Sequence, residues 1–180
     1  MSVALDAVSR TTLYIPLRDT IIGLGSLALP GAGFVLGLMI VSGRTGFPDL
    51  SNASTIPWQL WLIGACGIAA TVCGFLDWHY HVTGRRIVGK RERQGELIAL
   101  GLGGAPLFLL MMAASGVARP EWLLIPILGA VLFTTVMICY GEFVFHRRSC
   151  RPYEAGLHRV LVFGNGTAWA AWMHWIFVRG

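Results

Sequence analysis

Charge is scarce in this chain. Asp, Glu, Lys and Arg make up only 13% of its 180 residues while 55% are hydrophobic, a balance that excludes an ordinary soluble domain. No ionisable side chain falls at the middle of a long apolar run, and the runs show no inverted repeat, so a small transporter is disfavoured. Cysteine is sparse as well. Cys66, Cys73, Cys139 and Cys150 form no CxxC pair, which excludes a soft-metal thiolate or iron–sulfur site and leaves no disulfide framework. Histidine occurs only five times, too few for a site assembled from several HxxxH and HxxHH boxes. A cleavable leader is not expected either, because the first apolar run starts only near residue 20 and no A-x-A site follows it.

What the chain does have is length in its apolar runs. Five are long enough to cross a bilayer as helices, at about 20–41, 58–80, 96–115, 122–145 and 158–177. The expected fold is an all-α polytopic membrane protein, with residues 1–180 forming one transmembrane domain. Residues 1–19 are expected as a short interfacial helix and 20–180 as a five-span bundle. Basic residues set the orientation. With the N-terminus in the cytoplasm, only Arg44, Arg119 and Arg179 of the fourteen Lys and Arg fall outside, a strong positive-inside bias that puts the C-terminus outside. The +5 formal charge is thereby topological and calls for no nucleic acid. Compactness and arginine usage point to a bacterial inner membrane. Trp58, Trp61 and Trp122 sit where an outer aromatic belt belongs, and Gly33-x-x-x-Gly37 in the first run permits close helix packing.

Chemistry concentrates at the cytoplasmic ends. FLDWHYHVTGRR (75–86) and YGEFVFHRR (140–148) each place an acid four residues before a histidine: Asp77 with His81, and Glu142 with His146. That spacing puts both side chains on one helix face. Each pair precedes two arginines, and then an acid enters the next run: Glu96 in one case, Glu154 with His158 in the other. The repeat, about 65 residues long, pairs spans two and three as one hairpin and spans four and five as a parallel second. Spans two to five then form a four-helix bundle. His79 lies beside the first pair.

Carboxylate and imidazole donors suit iron, manganese or zinc. The sharper expectation is a di-metal site, with iron favoured, built from Asp77, His81, Glu96, Glu142, His146 and Glu154, with His158 and His79 as further ligands or supports. Such a site would make the chain a membrane metalloprotein and oxidoreductase acting on a lipid-like substrate, although the sequence leaves its being an enzyme open. The competing view is a non-catalytic small subunit or assembly factor of a larger membrane complex, touching lipid and other subunits and holding quinone, haem or pigment. In that view the acids merely neutralise neighbouring arginines. His174, in AWAAWMHWIF between Trp172 and Trp175, is the candidate axial ligand for haem or chlorophyll.

Overall fold

Only helices appear among the described residues, which in this computed structural model are 17–83, 90–146 and 151–178. Helix α1 spans Leu17–Val41 and α2 spans Trp58–Val82. Helix α3 (Lys90–Ile98) passes through a π-helical turn (Ala99–Gly104) into α4 (Ala105–Gly116). Helix α5 (Leu124–Gly141) ends in a second π-helical turn (Glu142–His146), and α6 spans Pro152–Val178. The interfacial helix expected over 1–19 lies outside the described residues, apart from 17–19, which already belong to α1.

Four stretches are long and apolar enough to cross a membrane: Thr20–Val41, Trp58–Val82, Arg91–Gly116 and Pro120–Phe145. The chain is therefore a multi-pass membrane protein. Side chains such as Leu29, Val35 and Met39 on α1, or Ile125, Leu132 and Val136 on α5, are exposed on the protein's own surface, as lipid-facing residues must be. The fifth expected span corresponds to α6. At 27 residues it is long enough, but it is not among the four, because polar residues such as Asn165, Thr167 and His174 lower its mean hydropathy. It packs into the core instead, with Leu157, Ala171, Trp172, Trp175 and Ile176 buried.

Helix neighbours differ from the order in which the chain supplies them. Helix α2 runs along α6 for most of its length, and the α3–α4 segment lies along α5, while α1 touches α2 and α4. Small residues explain the α2–α6 approach. A Cβ on Gly164 would sit 3.1 Å from the Cys66 carbonyl oxygen and 3.3 Å from the Ala70 Cβ, closer than side chains ordinarily pack, so glycine here helps the two backbones approach. On α1, Gly33 and Gly37 face Phe108 and Met112 of α4, the packing role their spacing implies. The third and fourth runs pair as antiparallel neighbours, and the second and fifth, separated by most of the chain, form the other close pair.

The two ends of the bundle are chemically unlike. One is an apolar core in which Leu60, Ile63, Leu107, Met111, Ile127, Trp172, Trp175 and Ile176 are buried. Trp172 anchors it. Its ring meets Phe34 edge-on with centroids 4.6 Å apart and stacks on Trp169 at 5.2 Å, and its Nε1 donates to Ser115 Oγ at 2.9 Å. Trp58, Trp61 and Trp122 are exposed at this end, as belt residues should be, whereas Trp172 and Trp175 are core. A loop over 42–57 closes the same end. There Gly43 and Gly46 adopt φ of 72° and 84°, a left-handed conformation that glycine takes without strain. Asp49 accepts from the Ser51 amide and hydroxyl, which holds its carboxyl below the usual carboxylate range. The opposite end holds the ionisable cluster.

Candidate metal centre

Two acid-x-x-x-His pairs meet where α2 ends and α6 begins. Asp77 and His81 lie on the last turns of α2. Thr83 finishes that helix, its Oγ1 donating to the carbonyls of His79 and Tyr80 at 3.0 and 3.1 Å. Glu154 and His158 lie on the first turns of α6, which Pro152 opens. Proline suits a first helical position because its missing N–H would have no partner there, and an acid in the first turn is favoured by the positive end of the helix dipole. Since α2 and α6 run antiparallel in contact, the two pairs converge.

One donor atom from each of Asp77, His81, Glu154 and His158 lies within 4.8 Å of all the others. His81 Nε2 stands 3.5 Å from both Asp77 Oδ2 and Glu154 Oε1, and His158 Nε2 stands 3.3 Å from Asp77 Oδ2. These spacings are informative. A hydrogen bond between ionised partners closes to about 2.7–2.9 Å. By contrast, the edge of a tetrahedron with metal–ligand bonds of about 2.0–2.2 Å is roughly 3.3–3.6 Å. The three distances fall within that range, which is also that of ion pairs held within about 4 Å. A second sign is Asp77 Oδ1, which is buried with no hydrogen-bond partner among the described residues, a costly arrangement for a carboxylate unless a cation neutralises it.

The group is also sheltered. The Glu154 side chain has 0% of its surface exposed, and those of His158, Asp77 and His81 have 12%, 15% and 18%. Tyr80, itself buried, packs edge-on to His81 and against Tyr153 with centroids 6.1 and 5.8 Å apart. Glu142, first residue of the π-helical turn after α5, reaches the far side of His158, its Oε1 lying 3.2 Å from Nδ1. Three carboxylates thus face two imidazoles around the group.

Of the eight sequence-selected metal ligands, Asp77, His81, Glu154 and His158 form the four-atom group, with Glu142 beside it. Glu96 sits exposed on α3, outside the group. His79 is exposed too. Two residues correspond to about 200° around a helix, so His79 points away from the face that carries Asp77 and His81. His146 ends the second π-helical turn, and its side chain lies outside the described residues. The sequence spacing pairs Asp77–His81 with Glu142–His146; the structure pairs it with Glu154–His158. That motif, with the same spacing, was visible as a third instance, but nothing in the sequence marked α6 as the neighbour of α2.

His174 lies at the other end, exposed. Gln59 Nε2 donates to its Nδ1 at 2.9 Å and the Trp58 ring is 5.4 Å away. Trp172 and Trp175, its neighbours in sequence, turn into the core. His79, His81 and His158 all belong to the opposite end, so none of them shares the depth of His174 as a second axial ligand. Comparison of the chain with protein-family models, with curated proteins and with solved structures yields no match.

Proposed function

We propose that this protein is an integral membrane metalloprotein holding one first-row transition ion between the ends of α2 and α6. The observation that carries this reading is the convergence of Asp77, His81, Glu154 and His158 within 4.8 Å from two helices far apart in sequence. Two carboxylates and two neutral imidazoles balance a divalent cation and suit iron, manganese or zinc. The four-atom group furnishes donors for one ion, so one replaces the two that the acid inventory suggested. We carry forward iron and the O₂-dependent oxidation of a lipid-like substrate as the chemistry such an ion would supply. The ion would lie at a helix end near the headgroups, where the apolar part of such a substrate stays in the bilayer while its reactive carbon reaches the ion.

A closed set of four protein ligands favours a second reading. Structural ions are four-coordinate, whereas catalytic ones keep an open position. In that case the ion only staples α2 to α6, and the chain is a small subunit of a larger membrane complex, the setting in which haem or pigment at His174 would also belong. Nitric oxide discriminates between the two. Purified protein reduced under argon and exposed to nitric oxide should give an iron–nitrosyl electron paramagnetic resonance signal if the iron is open. Zinc, or iron silent to nitric oxide, would sink the oxidase reading.

We place the site in the cytoplasm of a bacterial inner membrane on the strength of the basic residues around it, including Arg151 and Arg159. Reporter fusions after Gly89 and after Gly180 should then land on opposite sides of the membrane. Both on one side would remove α6 as a span and overturn the orientation.

A further inference from the structure

We infer that Glu142 positions His158 for the metal and is not itself one of its ligands, an assignment that rests on the metal reading above. An imidazole that binds a metal through one nitrogen nearly always donates its other N–H to a carboxylate, carbonyl or water, which fixes the tautomer and makes the ligating nitrogen more basic. His158 has this arrangement. Its Nε2 faces Asp77 Oδ2 at 3.3 Å inside the four-atom group, and its Nδ1 faces Glu142 Oε1 at 3.2 Å on the outside. With Nδ1–H donating to Glu142, the lone pair is left on Nε2, the nitrogen that lies among the other three donors.

Exposure separates the roles. The Glu142 side chain is 40% exposed while that of His158 is 12% exposed, so the carboxylate forms the wet rim of the site and the imidazole its sheltered wall. Local structure puts Glu142 there. Helix α5 gives way to a π-helical turn that begins at Glu142, whose amide still donates to the carbonyls of Ile138 and Cys139. The backbone is therefore anchored at the helix end while the wider turn re-aims the residues that follow. Such turns recur where a helix must present side chains to a functional site. Glu142 is thus the contribution of α5 to a centre otherwise built by α2 and α6.

The test uses the full chain in detergent, stripped with chelator and titrated with cobalt(II). Its visible absorption reports ligand geometry, and competition with a chelator of known affinity reports binding strength. Glu142→Ala should weaken cobalt binding about 10–100-fold and shift the absorption band, while still saturating at one cobalt per chain. Its metal-free melting temperature should stay at the wild-type value. Glu142→Gln keeps an oxygen that accepts from Nδ1–H and should recover most of the affinity and the wild-type band. If Glu142→Gln falls as far as Glu142→Ala, the carboxylate is a direct ligand and the inference is overturned. If Glu142→Ala binds cobalt as the wild type does, the inference fails and the metal reading survives. If the wild type takes up no cobalt, both fail together.

Discussion

Glu154→Gln should strip the protein of its metal while leaving it folded. Glu154 is fully buried and gives Oε1 to the four-atom group, 3.5 Å from His81 Nε2. Glutamine keeps its shape and volume but neither its charge nor its strength as a donor. Zinc binding to a structural four-ligand site is worth about 10–16 kcal/mol. One ligand's share is then about 2.5–4 kcal/mol, or roughly a 100- to 1,000-fold loss of affinity. Equilibrium dialysis against a metal buffer measures this directly. If the cluster were only a network of ion pairs, the same change would remove a buried charge whose net worth is small or negative. Metal content would then be unaffected because there would be none. A folded Glu154→Gln protein that keeps wild-type metal content would exclude Glu154 as a ligand.

Chelation should destabilise the wild type, and in one place. A ligand bound only to the folded form stabilises it by about 2.7 kcal/mol when present at 100 times its dissociation constant. For a chain of this size each kcal/mol moves the melting temperature by about 2–4 °C, so removing the ion should lower it by roughly 5–10 °C, and restoring the ion should reverse the loss. Without the cation, Asp77, Glu154 and Glu142 crowd around two histidines. The end of α2 near His81 and the start of α6 should loosen, and hydrogen exchange should rise there. Residues around Trp172 and Met111 in the apolar core should keep their protection. Uniform loosening of the chain, or a melting temperature indifferent to chelator, would contradict a metal staple between these helices.

Much of the site was legible because the acid-x-x-x-His spacing has a fixed meaning on a helix. Asp77–His81 and Glu154–His158 are each complete within five residues, and helical periodicity alone turns His79 away from them. Which pairs face each other was not legible. That choice depends on which backbones come close, and here it turns on Gly164 fitting against Cys66 and Ala70. With 23 glycines in the chain, no single one announces itself as the point of contact. The same limit explains α6. Its Trp172 and Trp175, three residues apart, share the face that enters the core. The reach of Glu142 to the outer nitrogen of His158 depends on a π-helical turn, and neither apolar periodicity nor helix propensity marks where such a turn begins.

Elemental analysis of the purified wild-type protein tests the central claim most directly, with Asp77→Asn and His158→Ala prepared alongside as controls. A metal centre shared by α2 and α6 predicts about one transition ion per chain in the wild type, and little in either variant, with both variants still monodisperse in detergent. Wild-type protein that holds no stoichiometric metal, and takes up none when iron, manganese or zinc is supplied, would contradict it.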